Sequence, residues 1–319
     1  MSINSPKQQL LQKIMTKYEI KPEFANDLPK LSQYHLSFII DDSYSMNTRT
    51  SSEVTRWQEL SQTFLDCLKI SAPFLSEKGV DLDFLNTGSH LNIPLGDIVG
   101  IFQQRSQCPG TATPICQILK KVLLRARNRL KRDHKMTIII IGTDGEPTDG
   151  SMSDLNQLLT DRTLRDPSRC PVTFLVCSDG PCIQYLNKLD RTATYVDVCD
   201  DFQCEQREIL QASGQHITYG EYLIKCLLGS ALKKYDSLDE NPGQVCVVCG
   251  QNIESGEVYT KHGAKCIKCE PFAPLRSPPS CRCSKCGVVD AKRVYIKVND
   301  NWYCSNCPKP PAKTDCLFQ

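Results

Sequence analysis

Two almost wholly apolar segments, each followed by an acidic residue, constrain the fold of this chain more than any other feature. His35–Ile40 leads into Asp41, and Met136–Thr143 leads into Asp144. Strands that are apolar on both faces are typical of a parallel sheet covered by helices on both sides. The carboxyl ends of such strands lie at one edge of the sheet, where doubly wound proteins bind their ligands. The sequence therefore predicts a ligand site at the edge where these two strands end.

The surrounding sequence alternates between strand-like and helix-like patterns, which predicts a doubly wound α/β domain. The predicted strands are His35–Asp41, Val80–Asn86, Met136–Thr143, Pro171–Cys177 and Thr192–Val198. The predicted helices are Trp57–Phe74, residues 96–104, Pro114–Leu130, Ser153–Thr160, Cys182–Leu189, Phe202–Ala212 and Gly220–Tyr235. Apolar residues between Leu10 and Tyr18 have the spacing of an amphipathic helix, whose simplest role is to cover an edge of this domain.

The residues that follow the first strand have the chemistry of a metal site. In Asp41-Asp-Ser-Tyr-Ser-Met46, the carboxylate of Asp41 is followed by hydroxyls at Ser43 and Ser45. Hard oxygen ligands of this kind suit Mg²⁺, Ca²⁺ or Mn²⁺ better than zinc. One carboxylate does not saturate such a cation, so the site should stay open to an acidic group from a partner. The alternative is that Asp41 and Ser43 only cap a helix or shape a turn.

Two later segments extend this motif. Thr111 lies in Cys108-Pro-Gly-Thr-Ala-Thr-Pro114, and Asp144 lies in Gly142-Thr-Asp-Gly-Glu146. Together with Asp41-x-Ser-x-Ser45, they resemble the von Willebrand factor A domain and its metal-ion-dependent adhesion site. The resemblance covers about residues 34–236 and is to the intracellular, copine-like branch of the family.

This resemblance carries expectations for both fold and function. It implies a doubly wound, mostly parallel, Rossmann-like sheet with one antiparallel edge strand, for which Val80–Asn86 is the candidate. It implies that Mg²⁺, or alternatively Ca²⁺ or Mn²⁺, is bound by Asp41, Ser43, Ser45, Thr111 and Asp144. Asp144 would act through a water molecule in some states, and Thr113 is the alternative to Thr111. The partner would be a protein that presents an Asp or Glu side chain to the cation.

The last quarter of the chain contains a repeated cysteine pattern. Two sets follow the spacing C-x2-C-x15–20-C-x2-C, which is typical of zinc bound by four thiolates. The first set is Cys246, Cys249, Cys266 and Cys269, and the second is Cys283, Cys286, Cys304 and Cys307. Closed sites of this kind are structural, and they supply folding energy to a segment with few apolar residues. Two zinc ions are therefore expected in this region.

Several alternatives stay open for these cysteines. Disulfides or redox-active pairs would need the same residues, but the regular spacing favours zinc. The two sets could bind zinc one after the other or in a cross-braced arrangement, and the thirteen-residue, proline-rich gap between them disfavours cross-bracing. Cys281 could replace Cys283 as a ligand, and Cys316 is left over.

These patterns divide the chain into five parts. They are an N-terminal extension (1–33), the α/β domain with the adhesion-type site (34–236), a polar linker (237–245), a tandem zinc-binding region similar to ribbon or LIM fingers (246–307) and a tail (308–319).

Composition limits the classes of function. The 319 residues include 38 basic and 36 acidic side chains, a net charge of +2, which argues against a general nucleic-acid binder. No apolar segment reaches the ~20 residues of a membrane-spanning helix, and we recognise no secretory signal. The 19 cysteines are an odd number, and several lie in apolar segments, which favours a cytoplasmic or nuclear, reducing compartment. A bacterial protein delivered into a host cell would have the same features.

No catalytic motif is found, so the chain is not expected to be an enzyme. The predicted function is an intracellular interaction module, in which a divalent cation bridges to a partner's carboxylate and the zinc region is a second docking surface. One alternative is a ubiquitin-ligase-like protein with a degenerate RING-type tail, which the cysteine spacing disfavours. Another is a subunit of a transcription or repair assembly. The oligomeric state is not predicted.

Overall fold

The computed structural model describes two compact units, Met1–Asp239 and Glu240–Gln319. Within them it describes residues 8–50, 53–76, 78–104, 108–177, 186, 189–190 and 192–239, and the backbone alone of residues 6–7, 258–260, 263–265, 295–298 and 301–304.

A mixed, six-stranded sheet lies at the centre of the first unit. In the described residues it consists of β1 (Tyr34–Ile40), β2 (Val80–Phe84), β3 (Gly88–Ile93), β4 (Met136–Thr143), β5 (Val172–Val176) and β6 (Val196–Cys199). The strand order is β3-β2-β1-β4-β5-β6, and neighbouring strands are parallel except for β2 and β3. The predicted α/β class with a mostly parallel sheet is therefore confirmed.

The antiparallel edge strand is not the expected one. Val80–Phe84 runs parallel to β1, with Asp81 opposite Ser37, so the assignment of Val80–Asn86 to the antiparallel edge was wrong. The edge position belongs to Gly88–Ile93, which no sequence pattern had indicated. Its residues are largely exposed and polar, so it lacks the apolar alternation by which strands are recognised.

Helices surround this sheet. Those described in the first unit are α1 (Pro6–Tyr18), α2 (Pro22–Ala25), α3 (Arg56–Ser71), α4 (Leu95–Gln103), α5 (Ile115–Asp133), α6 (Met152–Thr160), α7 (Phe202–Ser213), α8 (Tyr219–Leu228) and α9 (Lys233–Asp236). The predicted helices that correspond to α1 and to α3 through α7 are confirmed. The predicted helix Cys182–Leu189 falls largely outside the described residues. None of the described helices is long and apolar enough to span a membrane.

The predicted single helix Gly220–Tyr235 is interrupted. Helix α8 ends at Leu228, a short 3₁₀ turn follows, and α9 starts at Lys233. Gly229 lies so close to β6 that an added Cβ would be 1.7 Å from Oδ2 of Asp197. A side chain at residue 229 would therefore push this turn away from the sheet.

The buried apolar residues form two clusters, one on each face of the sheet. On one face, Phe38 of β1 packs with Phe64 of α3, and Leu223 of α8 belongs to the same cluster. On the other face, Ile139 of β4 and Leu119 of α5 are members of the second cluster. Alternate residues of the buried strands point to opposite faces, which explains why both β1 and β4 carry apolar residues on both faces.

The N-terminal helix packs on α3 and α8. Tyr18 donates a hydrogen bond from its hydroxyl to Oδ1 of Asp66 in α3 (3.0 Å). Just after α1, the ammonium group of Lys21 is 3.3 Å from Oε2 of Glu221 in α8. The extension therefore covers part of α3 and α8, and further along it Phe24 stacks on Tyr235 of α9.

Four short strands are described in the second unit, and they form two antiparallel pairs. The first pair is β7 (Val258–Thr260) with β8 (Gly263–Lys265), and the second is β9 (Tyr295–Val298) with β10 (Asn301–Cys304).

Candidate metal centre

Asp41 lies fully buried at the carboxyl edge of the sheet, between β1 and β4. Its backbone N–H donates to the carbonyl of Gly142 (2.9 Å), which continues the pairing of the two strands by one residue. Its Oδ1 accepts the backbone N–H of Ser43 (2.9 Å), and its Oδ2 accepts the hydroxyl of Thr143 (2.7 Å). The carboxylate is thus held in one orientation by groups from both strand ends.

The two serines of the motif connect Asp41 to Asp144. The hydroxyl oxygens of Ser43 and Ser45 are 3.0 Å apart and share a hydrogen bond. Ser45 in turn donates its hydroxyl to Oδ1 of Asp144 (2.8 Å). The structure therefore brings together four of the five residues that the sequence motif assigned to a cation, all at the expected edge of the sheet.

Thr111, the fifth residue, lies beside this group in an exposed position. Its neighbour Gly110 pairs with the 41–45 loop: the N–H of Tyr44 donates to the Gly110 carbonyl (2.6 Å), and the N–H of Gly110 donates to the Asp42 carbonyl (3.0 Å). An added Cβ at Gly110 would be 2.1 Å from Nδ2 of Asn86, so this close approach requires glycine.

The alternative to Thr111 has a different environment. Thr113 is buried, and its N–H donates to the hydroxyl of Thr148 (2.9 Å). The backbone N–H of Thr148 in turn donates to the carbonyl of Thr113 (3.0 Å). Thr111 is exposed whereas Thr113 is buried, so Thr111 is the more accessible of the two.

Asp42, next to the motif, has a structural role that the sequence did not indicate. Its Oδ1 accepts the backbone N–H of Asn86 (2.8 Å), and its Oδ2 accepts the hydroxyl of Thr87 (2.6 Å). These bonds tie the loop after β1 to the turn between β2 and β3. Asp42 is thereby directed away from Asp41 and fixes the loop on which the serines lie.

Sequence reasoning also missed Arg56, the first residue of α3. Its Nη1 donates to Oδ2 of Asp144 (2.8 Å), while its side chain is 24% exposed. A positive charge in the first turn of a helix opposes the helix dipole. That unfavourable position was the one signal by which Arg56 could have been noticed.

The electrostatics of this group favour a cation. Burial raises the pKa of Asp41, the hydrogen bonds from Ser43 and Thr143 lower it, and the charge of Asp144 raises it again. Two buried carboxylates thus lie close enough to interact, with Arg56 as a positive neighbour of one of them. Desolvated carboxylates are stabilised when a cation binds between them.

Two of the oxygen–oxygen separations have the size found between neighbouring ligands of Mg²⁺. Adjacent ligands of an octahedral Mg²⁺ ion are about 2.9 Å apart, because each metal–oxygen distance is about 2.0–2.1 Å. The separations Ser43 Oγ to Ser45 Oγ (3.0 Å) and Ser45 Oγ to Asp144 Oδ1 (2.8 Å) are of this size. In the structure, hydrogen bonds hold these oxygen atoms at the two distances.

An exposed aromatic side chain belongs to the same loop. Tyr44 lies between the two serines in sequence and is 74% exposed. Tyrosine is enriched at the energetically important positions of protein interfaces.

A second group of acidic residues lies near β6. Carboxylate oxygens of Asp190, Asp197 and Asp236 are within 4.8 Å of one another. Burial and the charge of Asp197 raise the pKa of Asp190 to about 8. The buried ammonium group of Lys225 is 3.2 Å from Oδ1 of Asp197 and 3.0 Å from Oε1 of Glu205, so it neutralises part of this charge.

The eight cysteines predicted to bind zinc lie outside the residues whose side chains are described. The backbone of Cys304 ends strand β10. The four-thiolate sites therefore stay predictions.

No family model and no curated protein matches this sequence. Among solved structures, proximal thread matrix protein 1 (PTMP1) from the mussel byssus is similar, with 18% sequence identity and a TM-score of 0.36. The match covers 54% of this chain and 44% of that protein, so the chain spans less than half its length. These values define neither a family nor a function.

Proposed function

We propose that the chain is a protein-interaction module that holds Mg²⁺ at the carboxyl edge of the sheet and binds a partner's Asp or Glu through it. The cation would be bound by Asp41, Ser43, Ser45, Thr111 and Asp144. The observation that carries the proposal is the convergence of buried Asp41 with Ser43, Ser45 and Asp144, three of them joined by hydrogen bonds of 2.8–3.0 Å. A von Willebrand factor A domain is the family we infer, and the antiparallel edge strand β3 supports this assignment.

The chain's own residues would give this site its properties. Asp41 supplies charge from a carboxylate that Ser43 and Thr143 already orient, so little reorganisation accompanies metal binding. The hydroxyls of the two serines supply neutral oxygen ligands, which leave positive charge on the ion. A bound divalent cation would attract a carboxylate at its remaining open position.

The surroundings favour a protein over a small anion as the partner. Tyr44, between the two serine ligands in sequence, is 74% exposed. An acidic side chain flanked by apolar residues would match both the cation and Tyr44. The second unit, with two structural zinc ions, would provide a further docking surface.

The proposal is tested by calorimetric titration of Mg²⁺ into the full chain. We expect wild type to bind one equivalent and Asp41→Asn, which keeps the side-chain volume, to lose affinity by about tenfold or more, since metal sites need charged oxygen ligands. Asp154→Asn is the matched control because Asp154 is an exposed acid that caps α6. If Asp41→Asn binds Mg²⁺ as tightly as wild type does, the proposal is overturned.

Partner chemistry is tested on an array of peptides that contain a single Asp or, at the same position, Asn. We expect binding to the Asp peptides in the presence of Mg²⁺ and its loss in Mg²⁺-free buffer. Equal binding of Asp and Asn peptides would show that no carboxylate is recognised.

A further inference from the structure

Arg56 occupies an unusual place at the proposed cation site. Asp144, whose side chain is 1% exposed, uses Oδ1 to accept the Ser45 hydroxyl and Oδ2 to accept Nη1 of Arg56. Both carboxylate oxygens are thus engaged, one of them by a positively charged group. A divalent cation that binds here must share Asp144 with a guanidinium that lies within hydrogen-bonding distance of it.

The position of Arg56 is fixed by the start of α3. Thr55 and Gln58 form a capping box: the Gln58 N–H donates to the Thr55 hydroxyl (3.2 Å), and the Thr55 N–H donates to Oε1 of Gln58 (2.9 Å). The next residue, Trp57, is buried in the core and holds the first turn against the domain. Arg56 can turn its side chain, but its backbone stays at the rim of the site.

The charges of Asp41, Asp144 and Arg56 together match a divalent cation that is bound along with one anionic group. Asp41 and Asp144 contribute two negative charges, and Arg56 contributes one positive charge. A bound divalent cation would leave one net positive charge, which a single carboxylate neutralises. Without Arg56 the two carboxylates alone would neutralise the cation. Interactions between charges at such short range are strong in a partly buried site.

We propose that Arg56 strengthens the coupling between binding of the divalent cation and binding of the partner's carboxylate. Arg56 weakens binding of the cation alone by charge repulsion, and the combined positive charge of the ion and the guanidinium then favours an anionic ligand. The planar guanidinium has further N–H donors beside the one that binds Asp144, and such a group suits a carboxylate. This inference rests on the proposed function and adds a specificity-determining residue to it.

The experiment measures Mg²⁺ affinity of the full chain by calorimetry with two small probes. The probes are N-acetylaspartate amide, which has one carboxylate, and N-acetylasparagine amide, which has none. For wild type we expect the aspartate probe to tighten Mg²⁺ binding about tenfold, a usual size for coupling between sites, and the asparagine probe to have no effect. For Arg56→Gln we expect tighter Mg²⁺ binding without a probe and a smaller coupling than in wild type, because the contact between the ion and the carboxylate remains but the charge of Arg56 is gone.

Two further variants control for charge and for fold. Arg49→Gln removes an exposed arginine that pairs with Glu53, and it should behave as wild type. Arg56→Lys keeps the charge and should keep the weaker Mg²⁺ affinity of wild type, so an affinity equal to that of Arg56→Gln would overturn the charge argument.

The two proposals fail in different ways. If wild type binds Mg²⁺, and Arg56→Gln has the same affinity and the same coupling, the role of Arg56 is overturned and the cation site stands. Absence of Mg²⁺ binding by wild type in both the presence and the absence of the aspartate probe would overturn the proposed function together with this inference.

Discussion

Asp41 depends on its neighbours for both position and charge. It has no exposed surface, and burial by itself raises the pKa of its carboxyl. The hydroxyl of Thr143 and the N–H of Ser43 each donate to one of its oxygens and favour the ionised form. Thr143 therefore acts on the site through Asp41, although it is not among the proposed ligands.

Thr143→Val removes this hydroxyl and keeps the shape of the side chain. We expect the free energy of unfolding to fall by about 1–3 kcal/mol, because a buried carboxylate oxygen loses a hydrogen-bond donor. Mg²⁺ should raise the free energy of unfolding of this variant and so recover part of the loss, because it binds the native state next to Asp41. Urea unfolding followed by circular dichroism, with and without Mg²⁺, measures both effects.

Thr173→Val is the matched control for this variant. Thr173 is a buried threonine in β5 whose hydroxyl shares a hydrogen bond with that of Ser230 (2.8 Å). Loss of the Thr173 hydroxyl should lower the free energy of unfolding to a similar degree. Mg²⁺ should, however, stabilise this variant as much as it stabilises wild type. If Mg²⁺ stabilises both variants equally, Thr143 does not act through the cation site.

Residues of the site differ in how far the sequence predicts their placement. Asp41 and Asp144 could be placed together because each follows a strand of the same parallel sheet, and the serines follow from the local motif. Arg56 could not be placed because its contact with Asp144 joins residues 88 positions apart. That contact depends on the direction in which α3 leaves the loop, which local patterns do not give.

Among the strands that the sequence predicted, β2 differs most from its expected place. Its alternation of apolar and acidic residues is typical of an edge strand with one face in solvent, yet Asp81 and Asp83 are both buried. Arg129 of α5 donates to Oδ2 of Asp81 (2.7 Å), and Arg125 donates to Oδ1 of Asp83 (3.1 Å). The basic end of α5 thus neutralises an interior strand, a role that its position near a helix C-terminus did not suggest.

This pairing makes a specific prediction for Asp83 and Arg125. Asp83→Leu alone should lower the free energy of unfolding by about 3 kcal/mol, because the guanidinium of Arg125 loses its nearest buried partner and keeps only Asp81, at 3.7 Å. Adding Arg125→Met should restore most of the stability, since an apolar pair of similar volume needs no compensating charge. Urea unfolding of both single variants and the double variant gives the coupling between the residues. Strictly additive losses would show that the two side chains act independently.

At the scale of the whole molecule, the chain combines an α/β unit with a cysteine-rich unit, Glu240–Gln319. The described strands of the second unit form two hairpin-like pairs, β7 with β8 and β9 with β10. The first pair lies between Cys249 and Cys266 in sequence, and the second ends at Cys304. Each set of four cysteines therefore has an antiparallel pair of its own, which favours two zinc sites formed one after the other.

Truncation separates the two ways of pairing the cysteines. A chain that ends at residue 279 keeps the first set of four and lacks the second. If each set binds its own ion, this chain should retain about one zinc where the full chain has about two, because four thiolates complete a tetrahedral site. In a cross-braced arrangement each site would keep only two of its ligands, and neither would hold zinc stoichiometrically. Metal analysis by mass spectrometry counts the ions, with a chain that ends at residue 239 as the zinc-free control. Two zinc ions in the full chain and none in the chain that ends at 279 would contradict sequential pairing and show that the second set completes the sites of the first.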